Sequence, residues 1–326
     1  MSASMRAVVV DQPGPPEALR VREVPKPTAA EGQVLIRVAA FGLNRSELHF
    51  RQGVAYSGSF PRIPGIEAAG VVEEAPGGEF PRGTQVVTMM GGMGRDFDGG
   101  YAEYVLVPAR QVIAFTSDLP WHVVGAVPEM LQTANGSLTA GLDAREGQSV
   151  LIRGGTSSIG LAATVLAKLR GMTVYATTRR DAARPLLEVT GADHVLIDDG
   201  DIASRVRRIE PAGVDGAIEL VGVNVMKDTL RAVRAGGTVC FTGMLSDQWT
   251  IKEFYPMDWL PNGVRLTAYS GEAGDLPAAT LQAFLDAVAA GRATVPIGRV
   301  YRMHEIARAH HDMEAGTVGG KAVVLT

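Results

Sequence analysis

The pattern of apolar and polar positions changes character once along the chain. Over the first 120 residues, apolar and often alternating runs recur at 6–10, 19–24, 33–39, 66–73, 84–89 and 100–107. Gly/Pro-rich punctuation such as Gln12-Pro13-Gly14-Pro15-Pro16 separates them. Short runs with turn residues between them predict strands of a compact β-barrel-like domain, with one short helix near Arg45–Arg51. From Trp121 the texture differs. A helix is predicted after Pro120, running toward Leu142, and βα alternation follows. Strands are expected near 149–153, 173–177, 194–197, 214–219 and 237–242, with helices near 159–170, 181–190, 201–209 and 224–234 between them. Such repetition with short turns predicts an α/β fold, a doubly wound parallel sheet with right-handed crossovers. Beyond Gly263 come a strand at Val264–Ala268, an amphipathic helix at Ala278–Ala290, a short helix near His304–Ala315 and a closing strand at Lys321–Leu325. This tail is expected to fold back onto the first domain.

The most informative segment is Ser149-Val150-Leu151-Ile152-Arg153-Gly154-Gly155-Thr156-Ser157-Ser158-Ile159-Gly160. A short apolar strand runs into a small-residue turn and then a helix. That arrangement brings backbone N–H groups and a helix N-terminus up to a pyrophosphate. Gly154, Ser157 and Gly160 keep the three-residue beat of the dinucleotide fingerprint, with serine in place of the middle glycine. The second strand of the unit ends Thr177-Thr178-Arg179-Arg180, with Arg184 one turn on. An NAD site asks for a carboxylate at that strand end, whereas guanidiniums suit a 2′-phosphate. A basic pair after a strand also reads as a solvated helix start; position favours the phosphate role, and NADPH is the expected cofactor. The nucleotide is expected in the cleft between domains, over the carboxyl ends of the strands.

Composition narrows the class. A chain of 326 residues accommodates two domains with full cores. The net charge of −4 gives no footprint for nucleic acid, and Arg205, Arg207 and Arg208 read as a solvated helix face. No apolar run reaches membrane-spanning length and no signal-peptide profile opens the chain, so a cytoplasmic protein without membrane contact is expected. The single cysteine, Cys240, lies in the apolar strand Thr238-Val239-Cys240-Phe241 and reads as a small buried hydrophobe. One cysteine excludes an intramolecular disulfide and any multi-cysteine zinc site.

Several stretches together resemble the zinc-independent quinone oxidoreductase branch of the medium-chain dehydrogenase/reductase superfamily. They are Phe41-Gly42-Leu43-Asn44-Arg45-Ser46-Glu47, Arg51-Gln52-Gly53, and Pro61-Arg62-Ile63-Pro64-Gly65-Ile66-Glu67-Ala68-Ala69-Gly70-Val71-Val72. Gly99-Gly100-Tyr101-Ala102-Glu103-Tyr104-Val105, the Gly154–Gly160 loop, Gly191-Ala192-Asp193-His194-Val195 and Gly319-Gly320-Lys321-Ala322-Val323-Val324 continue the series in family order. The resemblance implies a GroES-like catalytic domain at 1–124, completed by 270–326, a Rossmann-type NADPH-binding domain at 125–269, and a homodimer. It carries over Asn44, beside nicotinamide and substrate, and Thr133, at the start of the helix entering the cofactor domain. In the pyrophosphate loop it carries over Gly154, Thr156, Ser157, Ser158, Ile159 and Gly160. Thr178 and Arg179, with Arg180 beside them, face the 2′-phosphate; Val221, Gly222, Thr242, Gly243 and Met244 end two later strands near ribose and nicotinamide. Three departures stand out. Ser157 replaces a glycine, which leaves open a shifted turn or an added hydroxyl donor. Asp198 and Asp199 stand where many relatives place a cofactor-holding tyrosine. The substrate-side tyrosine of an Arg-x-Gly-x-Tyr pattern comes one position late, as Tyr56, the second candidate catalytic residue after Asn44.

What is missing shapes the chemistry. Zinc-dependent relatives place a cysteine near Asn44, a Gly-His-Glu where Gly65-Ile66-Glu67 stands, and a four-cysteine lobe before Gly99; none of these thiols is present, and Ile66 replaces the histidine. Glu67 by itself makes no tetrahedral site, so no metal is expected. Oxidising a simple alcohol needs a group that acidifies the hydroxyl, and no Tyr-x-x-x-Lys occurs. An acceptor that is already electrophilic, a quinone or a carbonyl-conjugated alkene, fits better. A narrower enal or enoyl reductase and a nucleotide-binding protein with little turnover are the alternatives. His304, His310 and His311 miss His-Glu-x-x-His spacing and read as surface or packing residues, as do Trp121 and His122. Trp249, Phe254, Tyr255 and Trp259 border a loop after a cofactor strand, as an apolar lid or as core and dimer packing.

Overall fold

The structure, a computed structural model, describes residues 3–55 and 57–326. Two compact units divide the chain: Met1–Glu129 with Glu272–Thr326, and Met130–Gly271. The first segment carries β1 (Ser4–Val9), β2 (Arg20–Pro25), β3 (Gln33–Gly42), α1 (Arg45–Arg51), β4 (Glu67–Glu74), β5 (Gln85–Met89), β6 (Tyr104–Pro108), β7 (Val112–Ala114) and α2 (Trp121–Val124). Helix α3 (Pro128–Gly136) leads into the second unit. There follow β8 (Ser149–Arg153), α4 (Ser158–Leu169), β9 (Thr173–Thr178), α5 (Arg184–Val189), β10 (His194–Ile197), α6 (Ile202–Ile209), β11 (Val214–Glu219), α7 (Val223–Ala232), β12 (Val233–Phe241), α8 (Pro256–Trp259) and β13 (Arg265–Ala268). The returning tail adds α9 (Ala278–Ala289), β14 (Ile297–Arg302), α10 (Ile306–Glu314) and β15 (Lys321–Leu325).

In the first unit β1 and β2 form an antiparallel pair. A seven-stranded sheet runs β14-β15-β3-β4-β5-β7, with β6 also pairing β3. The expected fold-back of the tail is present: β15 is antiparallel to β3, with Val323 opposite Gly42. Val34, Ile36, Val38 and Phe41 of β3 join Val105, Val107, Tyr301 and Val324 in one core. Strand β14 gave no sequence signal, because only Tyr301 of its six residues is buried and a register shift interrupts it after Ile297. An edge strand that buries so little carries no alternation to read.

In the second unit six parallel strands lie in the order β10-β9-β8-β11-β12-β13. That is the doubly wound order of a Rossmann-type sheet, with its switch point between β8 and β11. All five residues of β8 are buried, the signature of a strand covered on both faces. The helix expected from Pro120 to Leu142 is broken. Residues 125–127 separate α2 from α3, and a π-turn at Ser137–Gly141 ends it. Pro128 starts α3, where its missing N–H does no harm. At the other end the Ser137 and Thr139 hydroxyls donate back to the carbonyls of Thr133 and Asn135, loosening the ladder. Among the described residues no helix is long and apolar enough to cross a membrane.

Candidate functional site

The segments singled out after β8, β9, β11 and β12 meet at the C-terminal edge of one parallel sheet. After β8 the chain turns at Gly154, whose φ of +89° is the left-handed region open to glycine. Its N–H donates to Thr177 Oγ1 (3.0 Å), and the Gly155 N–H donates to the Thr177 carbonyl (3.0 Å), tying the turn to β9. A Cβ on Gly160 would lie 2.5 Å from the Gly154 oxygen, so α4 packs this closely only with glycine there. Of the two roles left open for Ser157, the structure shows a third: its hydroxyl donates to the Gly154 carbonyl (2.8 Å) and accepts the Gly160 N–H (3.1 Å). Ser157 is thus the N-cap of α4 and keeps its proton inside the turn. The N–H groups of Ser158 and Ile159, next to Thr156, precede any possible intrahelical carbonyl, and such a helix start suits an anion.

At the end of β9 Thr178 is buried, and its hydroxyl bonds both the N–H and the carbonyl of Arg180 at 3.2 Å. Arg179 and Arg180 are exposed, and neither guanidinium has an ion pair or hydrogen bond among the described residues. Arg184 is already engaged, with Asp181 (3.1 Å) and the Val195 carbonyl (3.1 Å). Two of the three arginines on α6 are engaged too: Arg205 pairs with Asp199, and Arg207 caps the carbonyls of Pro211, Arg231 and Val233.

Two buried charges hold these loops. Arg153, fully buried at the end of β8, makes a bidentate pair with Asp198 (2.8 Å for both bonds) and also reaches Asp228 (2.7 Å) and Thr229 (3.0 Å). Asp198 and Asp199, at the position where the family resemblance implies a tyrosine, therefore anchor two arginines. Glu219 is fully buried at the end of β11. Its Oε1 accepts the N–H groups of Val221 (2.6 Å) and Gly222 (3.0 Å), and its Oε2 accepts the Thr229 hydroxyl (2.5 Å). Burial pushes its carboxyl up to about 7, against the pull of these bonds and of Arg153. After β12 the Thr242 and Gly243 N–H groups donate to the Glu219 carbonyl, both at 3.0 Å, and Met244 follows half-buried. The Thr242 hydroxyl lies 2.9 Å from Ser137 Oγ, while Thr133, on α3, is buried with its hydroxyl 3.2 Å from Gln132 Oε1. Cys240 is buried as expected, which raises its thiol.

In the first unit Asn44 is buried at the start of α1. Its Nδ2 donates to Glu67 Oε1 (2.9 Å), its Oδ1 accepts from Lys321 Nζ, and its backbone N–H donates to Glu47 Oε2 (2.9 Å). Lys321 lies 2.7 Å from Glu67 and 3.9 Å from Glu129, and all four charged residues are buried. Burial pushes Glu47 up to about 7, and the neighbouring Glu67 charge adds to this. Burial acts against the Lys321 ammonium, but Glu67 and Glu129 more than offset it, and its affinity for a proton rises. Tyr56 lies outside the described residues.

Arg153, Glu219, Glu47 and Lys321 carried no role in the sequence reading. The available signal was a charge at the end or start of an otherwise apolar strand, at Ile152-Arg153, Ile218-Glu219 and Lys321-Ala322. His310 is a buried packing residue, 3.2 Å from the Tyr101 hydroxyl, and burial lowers it to about 3. His311 instead pairs with exposed Glu17 (2.7 Å). Trp249 lines an apolar cavity of about 370 Å³ with Val223, Met226, Phe241, Ile251 and Leu266, and Trp259 packs on the core of the second unit. Among the described residues no three His, Cys, Asp or Glu side chains are grouped to hold a metal ion.

The family described as alcohol dehydrogenase GroES-like domain matches residues 30–117, and that described as zinc-binding dehydrogenase matches residues 190–324. The chain is 31% identical to a quinone oxidoreductase of Lama guanicoe, over 98% of this chain and 97% of that protein. It is 30% identical to the quinone oxidoreductase of Homo sapiens, over 98% of each. A mycobacterial protein whose structure was determined in complex with NADPH superposes with a TM-score of 0.85 at 28% identity, covering 99% of this chain and 100% of that one. The chain is an oxidoreductase and belongs to the zinc-independent quinone oxidoreductase branch of the medium-chain dehydrogenase/reductase superfamily.

Proposed function

We propose that this protein reduces quinones or carbonyl-conjugated alkenes with NADPH, by hydride transfer and without a metal. The observation that carries the choice of nucleotide is the pair of unengaged guanidiniums of Arg179 and Arg180 at the end of β9, one strand from the Gly154–Gly160 turn. Two cations with no partner among the described residues, where a ribose-binding carboxylate would otherwise stand, favour a 2′-phosphate. The turn fits the pyrophosphate, since a side chain at Gly160 would strike the Gly154 oxygen and the helix start supplies free N–H groups. Gly154, Thr156, Ser158, Ile159 and Gly160 would hold the pyrophosphate, with Ser157 shaping the turn; Thr178, Arg179 and Arg180 would hold the 2′-phosphate. Val221, Gly222, Thr242, Gly243, Met244 and Thr133 would line the ribose and nicotinamide. When bound, NADPH supplies the hydride.

The second unit is read as the cofactor domain and the first as the catalytic one. Asn44 is the residue we assign to orienting nicotinamide or acceptor, with Tyr56 as a second candidate. An acceptor conjugated to a carbonyl spreads the arriving negative charge onto oxygen, so positioning and hydrogen bonds suffice without a Lewis acid. The acceptor class is favoured by the likeness to quinone oxidoreductases. A homodimer in the cytosol completes the reading; the open edge of β13 and the exposed Phe254, Tyr255 and Met257 favour the dimer.

The test is a nucleotide-consumption screen over quinones, enals and enones, with NADPH and NADH in parallel. Turnover with NADPH and at least one acceptor class is expected. Replacing both Arg179 and Arg180 by Ala should weaken NADPH by about 2–4 kcal/mol, because each lost charge-assisted bond is worth roughly 1.5–3 kcal/mol and the site is exposed. NADH should be spared. Equal losses for both nucleotides would remove the 2′-phosphate assignment, and no oxidation of NADPH by any acceptor would remove the activity.

A further inference from the structure

The side-chain amide of Asn44 sits between two opposite charges. Lys321 Nζ, which can only donate, faces Oδ1; Glu67 Oε1, which accepts the Lys321 ammonium, faces Nδ2 at 2.9 Å. Rotating the amide by half a turn would press its N–H groups on the ammonium and its oxygen on the carboxylate. Both contacts would become repulsive in a buried environment where charges are poorly screened, so one orientation survives. The clamp is itself held. Glu67 Oε1 takes the Lys321 ammonium at 2.7 Å, and its Oε2 takes the Glu129 N–H at 2.8 Å. Glu47 fixes the backbone on both sides of the cluster, accepting the N–H groups of Asn44 and of Ile66, each at 2.9 Å. Even the backbone yields to it: a Cβ on Gly42 would lie 2.3 Å from Glu67 Oε1 and 2.5 Å from Lys321 Cε.

Such a cluster is expensive for stability alone. Three carboxyl groups and one ammonium are taken out of water, and a well-packed apolar set of the same volume would commonly serve the fold as well or better. What the charges add is a single amide orientation that leaves one Nδ2 N–H outside the clamp, while Oδ1 faces Lys321 and the Glu47 N–H of the capping box. We propose that Lys321 and Glu67 are positioning residues that act through Asn44, holding its amide in the one orientation able to hydrogen-bond the nicotinamide or the acceptor oxygen. This rests on the assignment of Asn44 to nicotinamide and acceptor made above. The ammonium on Oδ1 also polarises the amide and strengthens its remaining N–H as a donor, as in any chain of hydrogen bonds.

A double-mutant cycle on the full-length enzyme tests it. Asn44→Ala, Lys321→Met and the pair are compared by kcat with the acceptor that the screen returns, and by the NADPH Kd from nucleotide fluorescence without acceptor. Acting through Asn44, Lys321→Met should lower kcat about tenfold in the native background and less than about twofold once Asn44 is Ala, with the amide hydrogen bond setting that scale. Equal losses in both backgrounds would overturn the proposal, since a structural role does not depend on the amide. An unchanged kcat in Asn44→Ala alone would instead remove the assignment of Asn44, and the positioning role with it. Should Lys321→Met not fold by circular dichroism, Glu67→Gln enters the same cycle. Its isosteric amide spares the volume and removes the charge, and the same coupling is expected.

Discussion

Replacing Glu219 by Gln should flatten part of the pH dependence of stability. The wild-type carboxyl rises from an ordinary 4.5 to about 7 because the end of β11 is buried. Below pH 4.5 it is protonated in the folded and unfolded chain alike and adds no slope. Between 4.5 and about 7 the folded chain keeps a proton that the unfolded chain has released, so stability falls as pH rises. At 1.36 kcal/mol per pH unit the deficit accumulates to about 3 kcal/mol and then stays constant. Gln at this position is neutral throughout. Its oxygen can still accept the Val221 and Gly222 N–H groups, and Thr229 can turn its proton to the Val225 carbonyl, which already lies at 3.3 Å. Urea denaturation of both proteins from about pH 5 to about pH 8 should therefore show the difference in unfolding free energy moving in favour of Gln by about 2–3 kcal/mol as pH rises. Glu47 titrates in the same window, but it does so in both proteins and cancels. Parallel curves would refute the claim that desolvation outweighs the three hydrogen bonds.

Other consequences are as direct. Gly160→Ala puts a Cβ 2.5 Å from the Gly154 oxygen, forcing the phosphate turn away from α4; NADPH and NADH should both bind at least about tenfold more weakly by fluorescence titration, and unchanged affinities would dismiss the turn as the pyrophosphate site. Gly42→Ala drives a methyl group into the Glu67–Lys321 pair and should destabilise the protein by about 3–5 kcal/mol in chemical denaturation, the scale of a broken buried ion pair; a loss within experimental error would mean that the cluster is loosely held. His310 behaves oppositely to Glu219. Its folded value of about 3 lies below the ordinary 6.5, so its share of stability is complete above 6.5 and is lost as pH falls toward 3. Acid unfolding of His310→Gln should accordingly be shallower than that of wild type by about 2 kcal/mol at about pH 5.

Legibility followed burial. Strands β8 and β11 are readable to the residue because nearly every position is buried, and β10 because its short apolar run closes on acidic residues, whereas β14, exposed at four of its six positions, leaves no pattern. The long helix after Pro120 failed as a reading because hydrophobicity persists across its breaks. What breaks it is Pro128 and two hydroxyls that bond back to the helix, features that periodicity does not weigh. The glycine turn was visible as small residues between a strand and a helix, yet the part played by Ser157 was not. A serine at N-cap and a serine offering a proton to a ligand look alike until the Gly154 carbonyl is seen to take that proton. Lys321 and Glu67 lie 254 positions apart, and only the pairing of β15 with β3 brings that strand end to Asn44.

Both units place a buried carboxylate at a strand terminus beside a loop here assigned to ligand binding, and the physical reason is the same in each. A loop that must present polar groups to a ligand cannot satisfy them with its own backbone, so it needs a fixed acceptor that does not move when the ligand arrives. Water would serve energetically, but it would exchange and leave the loop in several arrangements. Glu219 fixes the N–H groups of Val221 and Gly222; Glu67 and Glu47 fix the amide and N–H of Asn44. The cost is desolvation, visible as carboxyls at Glu219 and Glu47 raised to about 7. Replacing one such group by an apolar residue leaves its N–H partners without an acceptor, so stability and binding should both fall, whereas an amide that keeps the acceptor should spare the binding. For Glu219→Leu the expected result is a folded protein with a lower denaturation midpoint and a weaker NADPH affinity, whereas Glu219→Gln keeps the affinity. A fall in midpoint with affinity intact would mean that the carboxylate serves the fold and not the loop.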